Sequence, residues 1–194
     1  MGRKSTIKDR VLRLAREKFL KHGFYKISMD NLVRELRTSK SSLYNHFDSK
    51  ESLVEAVLIA LNIEINHKLE EVLSDDQLTF KGKLIAISAF TKQILTEVSE
   101  EFLSDLEVHT PDLWDKYQKM RKKRINNYYG KLFEIGINKG VIRSDIDPAL
   151  ILSVYLSLTE IPIKFKHINH LGMAHEEVYG KITEIFLNGV LRQD

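Results

Sequence analysis

The sequence predicts an all-α protein, and three observations lead there. Apolar residues recur at three- and four-residue spacing along almost the whole chain, without the sustained alternation of a strand. Only three prolines and nine glycines interrupt 194 residues. Capping side chains, among them Ser28, Asp48 and Asp147, stand just ahead of apolar-periodic stretches, where a helix needs acceptors for its first free amides.

About nine helices are expected. The first should run over about 6–22, with Ile7, Val11, Ala15 and Phe19 on one stripe, a basic opposite face, and Gly23 as its stop. Ser28 can cap a short helix carrying Met29, Leu32, Val33 and Leu36, and a second short helix fits 39–46. A longer helix should follow over about 48–73, with Asp48 and Glu51 spaced as a capping box. The polar segment 74–77 separates it from a helix over about 80–98 and another ending near Val108. Pro111 opens a long helical segment closed by Gly140, and Asp147 followed by Pro148 is a strong helix start. The last helix should span about 174–191.

Charge divides the chain. Residues 1–54 hold 13 Lys or Arg against 6 Asp or Glu, a net of +7, which leaves −4 for the remainder of a chain whose total is +3. A compact basic segment on a mildly acidic body fits an anionic partner such as a phosphate backbone. There is no cysteine, hence no disulfide and no thiolate nucleophile or metal ligand. The longest uncharged apolar stretch, Ala149 to Thr159, is far short of the ~20 residues of a membrane span. The first ten residues lack the apolar core of a signal peptide. The expectation is a cytoplasmic protein with no membrane partner.

Three short helices within the first 54 residues, the last pair joined by a tight turn at 36–39, have helix-turn-helix spacing, in which the later helix enters the major groove. Ser, Thr, Asn and Lys side chains at a helix N-terminus are short donors suited to groove edges and phosphates. Lys40, Ser41, Ser42 and Asn45 should point outward, while Leu43 and Phe47, four residues apart, should pack inward on Leu32, Leu36 and Phe19. The run TSKSSLYNHFDSKESL, from Thr38 to Leu53, resembles the recognition helix of the TetR family of bacterial transcription regulators and the start of its fourth helix. The resemblance extends back through Phe19, Gly23, Phe24, Ser28, Met29, Asp30 and Leu32.

That resemblance implies an N-terminal DNA-binding domain over 1–54, a fourth helix at about 48–73 linking the domains, and a ligand-binding and dimerisation domain over 55–194. It implies a homodimer on double-stranded operator DNA, with Thr38, Ser39, Lys40, Ser41, Ser42, Tyr44, Asn45, His46 and Lys50 at the interface. Tyr44 and His46 would flank the groove on phosphates, and Lys50 would offer its ammonium to the backbone. Three positions depart from the family pattern. Arg37 stands where the turn usually has glycine, Thr38 follows it where an apolar residue is usual, and Ser41 replaces a frequent glycine at the front of the recognition helix. If the turn keeps a left-handed residue, Arg37 costs ~1 kcal/mol relative to glycine.

In the C-terminal part, the helix from Pro148 is apolar around most of its circumference and must be covered on several sides. A polar line of Ser153, Ser157, Glu160 and Lys164 reads as a solvated edge. On the last helix, Val178, Ile182, Ile185, Phe186 and Gly189 form a stripe whose glycine permits close helix approach, and the resemblance makes this a dimer surface. Aromatic residues cluster in the middle: Phe90, Phe102, Trp114, Tyr117, Tyr128, Tyr129, Phe133, Tyr155 and Phe165. The resemblance implies a small, largely apolar effector among them that releases a repressor from its operator. The alternative is a regulator triggered by a protein partner, or by none. His167, His170 and His175 complete no recognised metal pattern and read as a polar loop. GxGxxG, GxxxxGK[ST] and GxSxG are absent, so neither an enzyme nor a cofactor is expected.

Overall fold

A computed structural model of the chain describes residues 6–160 and 172–191, and among these the architecture is helical with one isolated bridge between Ile142 and Leu191. The helices are α1 (Ile7–His22), α2 (Met29–Leu36), α3 (Lys40–Tyr44), α4 (Lys50–Ser74), α5 (Phe80–Glu97), α6 (Glu100–His109), α7 (Pro111–Arg124), α8 (Gly130–Asn138), α9 (Pro148–Glu160) and α10 (His175–Val190). A π-helical turn, Ile125–Tyr129, joins α7 to α8 without a break. The expected Glu160–Lys164 edge, Phe165, His167 and His170 lie outside the described residues, as does the side chain of His175.

Two compact units emerge. The first comprises 6–64 and 97–117, the second 65–96, 118–160 and 172–191. The basic segment is therefore folded together with α6 and the start of α7, and α4 contributes its first part to one unit and its last turns to the other.

In unit one the helix starts arise from local chemistry. Thr6 with Asp9, and Ser28 with Asn31, form reciprocal capping boxes, and Ser39 caps α3 by accepting from Ser42 N. The cap of α4 differs from expectation. It is Ser49 rather than Asp48, and Ser49 and Ser52 each accept the other's backbone N–H on their hydroxyl, at 3.0 and 3.1 Å. Val11, Ala15 and Phe19 are fully buried, as are Leu43, Leu53, Val54 and Val57. Phe24 bridges α1 to α6, edge-on to Phe19 at 6.1 Å and to Phe102 at 6.0 Å. Ser99 N donates to the Leu20 carbonyl at 2.7 Å, a second tie between those elements.

Unit two is built around Leu69, Val72, Phe80, Ile87, Leu132, Phe133, Ile151, Tyr155 and Phe186. Asp147 caps α9 as expected, accepting from Ala149 N at 2.7 Å on its side chain. Lys83 of α5 is buried, and its Nζ donates to the carbonyls of Val72, Leu73 and Asp75 at 3.0, 2.7 and 2.6 Å. The Val72 and Leu73 carbonyls belong to the last turn of α4, which leaves them without helical partners, and Asp75 O, just past the helix, also accepts from Leu78 N at 3.3 Å.

Candidate DNA-binding site

The geometry of the site begins at the turn between α2 and α3. Arg37 adopts φ 50°, ψ 49°, the left-handed conformation, and no other described non-glycine residue has a positive φ. Its N–H donates to Arg34 O at 3.2 Å, and Thr38 N reaches Val33 O at 3.2 Å, so the end of α2 is closed in the manner usually served by glycine. Arg10 of α1 adds a guanidinium bond to Leu36 O at 2.9 Å. Arg37→Gly is expected to stabilise the fold by about 1 kcal/mol, measured by chemical denaturation, because glycine meets no steric penalty here. The same change should weaken binding to any duplex, since it deletes a cation beside the recognition helix.

From that turn, α3 presents two unlike faces. Leu43 and Phe47 are 0% and 4% exposed and anchor the helix to unit one. Lys40, Ser41 and Tyr44 of α3 are exposed, as are Asn45 and His46, which lie past the end of a helix shorter than the 39–46 expected, while Thr38 and Ser42 are half-buried. Ser39 is exposed but already engaged, accepting from Ser42 N at 3.0 Å and donating to Ser42 Oγ at 2.9 Å. Lys40 pairs with Asp30 of α2 at 2.7 Å, and this carboxylate raises the lysine pKa. Both side chains are exposed, so phosphates can compete for the ammonium at little cost.

Lys50 is placed differently from the other expected contacts. Its Nζ donates to the Tyr25 carbonyl at 2.7 Å and lies 5.8 and 5.9 Å from the ring centres of Phe24 and Tyr25. Burial lowers its pKa, and nearby Asp105 opposes that shift. It clamps the loop between α1 and α2.

Asp105 holds the same loop from α6 and has no signal in the motif. Its Oδ2 accepts from both Phe24 N and Tyr25 N at 2.7 Å. Gly23 has φ +70°, and a Cβ there would come within 2.5 Å of that oxygen, so both backbone angle and space require glycine. Tyr25 stacks on His109 at 3.7 Å between ring centres, with planes 10° apart. The loop between α1 and α2 is thus held from α6 by Asp105 and His109 as well as by Lys50. The only hint in sequence is that Asp105 shares a helical face with Phe102, Leu106 and His109.

The stripe on α10 is divided by the structure. Val178 and Phe186 are buried within unit two, and Phe186 lies 5.7 Å from Phe133 and 5.3 Å from Tyr155 between ring centres. Ile182 is half-buried, Gly189 is exposed, and Ile185 is 72% exposed. On α9, Leu150 and Val154 are also exposed, at 55% and 42%. Among the described residues, no group of His, Cys, Asp or Glu is arranged to hold a metal ion, and no helix is long and apolar enough to cross a membrane.

Comparison with known proteins places this site in context. Residues 11–57 match the family described as bacterial regulatory proteins, tetR family. The HTH-type transcriptional regulator QacR of Staphylococcus aureus is 25% identical over 192 residues, covering 95% of this chain and 98% of QacR. The uncharacterised HTH-type transcriptional regulator YhgD of Bacillus subtilis is 28% identical over 157 residues, covering 78% of this chain and 79% of YhgD. The crystal structure of a TetR transcriptional regulator from Legionella pneumophila superposes with a TM-score of 0.73 at 18% identity, covering 97% of this chain and all of that one, a likeness of fold.

Proposed function

We infer from its place in the tetR family of bacterial regulatory proteins, to which this chain belongs as a DNA-binding transcription regulator, that it acts as a cytoplasmic homodimeric repressor whose grip on operator DNA is released by a small, largely apolar effector. The observation that carries the DNA-binding part is the two-faced α3. Leu43 and Phe47 fix the helix while Lys40, Ser41, Tyr44, Asn45 and His46 stand exposed beside the left-handed turn at Arg37. A dimer would present two such helices to successive major grooves, ~34 to 36 Å apart, on a pseudo-palindromic site.

The test is binding selection on random duplexes, followed by titration across salt concentrations. Asn45→Ala and Lys40→Ala are expected to shift sequence preference by about 1 to 3 kcal/mol at the contacted base pairs, whereas Tyr44→Phe should weaken operator and random duplex alike. A protein with no salt-dependent affinity for duplex DNA would refute the reading.

For the dimer, the exposed Ile185 and Gly189 and the half-buried Ile182, together with Leu150 and Val154, support a helix-on-helix surface formed by α9 and α10. Ile185→Glu should yield a folded monomer in analytical ultracentrifugation. Phe186→Glu should instead unfold the chain, because it puts a carboxylate into the core of unit two. An unchanged dimer for Ile185→Glu moves the interface elsewhere.

Release by an effector is supported by the aromatic core of unit two and by the unbroken course of α4 from Lys50 to Ser74, which joins the residues after the recognition helix to that unit. An effector that favours one tilt of α4 would change the spacing of the recognition helices, and a coupling of ~1 to 3 kcal/mol corresponds to about 5- to 150-fold in operator affinity. Hydrophobic compounds that raise the melting temperature are to be titrated against operator complexes. One observation favours a protein partner, or none, as the trigger: Tyr129, Phe133, Tyr155 and Phe186 already pack on one another, with ring centres 4.6 to 5.7 Å apart. If binders exist and none changes operator affinity, that second reading takes over.

A further inference from the structure

The surface around α3 carries a carboxylate, which a protein gripping only phosphates has reason to exclude. Residues 28–46 contain two acids. Glu35 turns to α1, where it pairs with Lys18 at 2.9 Å. Asp30 instead reaches from α2 to α3, its Oδ2 2.7 Å from Lys40 Nζ, with the two side chains 53% and 64% exposed. The start of α2 does not need Asp30 as a cap. Ser28 and Asn31 already form the reciprocal capping box there, Asn31 N donating to Ser28 Oγ at 3.1 Å and Ser28 N to Asn31 Oδ1 at 3.0 Å. Contact between Asp30 and Lys40 runs through one carboxylate oxygen, so the other oxygen and the remaining ammonium protons stay accessible to an incoming partner.

An ammonium beside a carboxylate is a donor next to an acceptor. On the major-groove edge of a base pair an acceptor likewise stands next to a donor, because one hydrogen bond of ~2.7 to 3.2 Å joins the exocyclic groups that face that groove. The neighbouring atoms decide which pair fits. Across G·C the order is N7 acceptor, O6 acceptor, N4 donor, so Lys40 faces two acceptors on guanine and Asp30 faces the donor on cytosine. Across A·T the order is N7 acceptor, N6 donor, O4 acceptor, methyl. A carboxylate over that N6 has an acceptor on either side, and an ammonium over O4 abuts the methyl group. A phosphate fits worst, since it brings negative charge and no donor to Asp30.

We propose that Asp30 and Lys40 together read one G·C pair in each half-site, Lys40 on guanine O6 and N7 and Asp30 on cytosine N4, which makes Asp30 a specificity-determining residue. The proposal rests on the reading of α3 as the helix that enters the major groove, and adds what one position of the site must be. Since Asp30 belongs to α2 and Lys40 to α3, the direction from ammonium to carboxylate follows from the packing of those helices. The guanine therefore lies on one strand, and C·G is rejected along with A·T and T·A. Asp30 lowers affinity for every duplex through its charge, and that loss is offset only where a cytosine amino group meets it.

The experiment uses the full chain and the duplex that the unsubstituted protein selects from a random pool, with melting curves to verify that each variant is folded. Asp30→Ala is expected to move two readouts in opposite directions. Affinity for random duplex rises about threefold, and the preference for G·C over C·G at one position of each half-site falls about tenfold. N4-methylcytosine at that position puts a methyl group where the groove-facing amino proton was. It should weaken the unsubstituted protein about tenfold and leave Asp30→Ala unaffected. 7-Deazaguanine on the opposite strand removes N7, and should weaken the unsubstituted protein but not Lys40→Ala. If Asp30 serves only the stability of α2, Asp30→Ala lowers the melting temperature and shifts no base preference, and that result overturns the proposal. So does a selected site with no G·C position that responds to Asp30→Ala, or an equal effect of N4-methylcytosine on the variant and the unsubstituted protein. A protein that binds no duplex, or selects no sequence from the pool, fails earlier and takes the DNA-binding reading with it.

Discussion

Lys83→Met is expected to lower the melting temperature by roughly 10 °C while leaving the helices countable by circular dichroism at low temperature. Methionine replaces the aliphatic stem of Lys83 but none of its three donors, so the carbonyls of Val72 and Leu73 lose their side-chain partner and Asp75 O keeps only its bond from Leu78 N. Removing the ammonium from carbonyls that have few other partners costs about 2 to 4 kcal/mol. In a chain of 150 to 250 residues, each kcal/mol moves the midpoint by about 2 to 4 °C. A melting curve that superposes on the unsubstituted protein would show that water replaces the ammonium without loss.

Asp105→Ala should combine two effects. The amides of Phe24 and Tyr25 lose their common acceptor, which costs about 2 to 4 kcal/mol of stability. Freed from Asp105, the loop releases the Tyr25 carbonyl that holds Lys50, so operator affinity should fall by about tenfold or more even at temperatures where the variant is fully folded. Asp105→Asn keeps an acceptor oxygen and should retain most of both properties. Paired thermal melts and fluorescence anisotropy titrations separate the two effects. If Asp105→Ala is destabilised but binds operator with unchanged affinity, the loop does not position the DNA surface.

The local features of the basic segment are legible in the sequence because chain neighbours determine them. Ser28 caps the helix that begins one residue later, as its sequence suggests, while Thr6 and Ser39, expected as first helical residues, stand just outside theirs as caps; the four-residue spacing of Leu43 and Phe47 marks both as buried. Where two local solutions compete, the sequence is ambiguous, as where Ser49 and Ser52 form the cap that Asp48 and Glu51 also spell. Spacing cannot convey which distant element comes to meet a face. Asp105 is 81 residues from the amide of Phe24, and nothing near Phe24 announces it. The same limit applies to the stripe on α10. Ile185 and Phe186 are chain neighbours on adjacent helical positions, one exposed and one in the core, and a period of about 3.6 residues does not say where one face ends. Lys50 shows a third case, since its expected approach to phosphate starts from an ammonium already bound to Tyr25 O.

The π turn at Ile125–Tyr129 has an evolutionary consequence. A wider turn lets a helix absorb one inserted residue without breaking, and each residue rotates the remainder of the helix by about 100°. Here adjacent tyrosines part company across it: Tyr128 is half-exposed, its hydroxyl 3.5 Å from Glu70, while Tyr129 is buried. A lineage that lost one residue between 125 and 129 would regain a regular helix and yet swing Leu132 and Phe133 off the core face. Homologues of this chain should therefore tolerate substitution within the turn far more readily than a change in its length, and gaps in aligned sequences should fall elsewhere, such as in the 139–147 connection after α8.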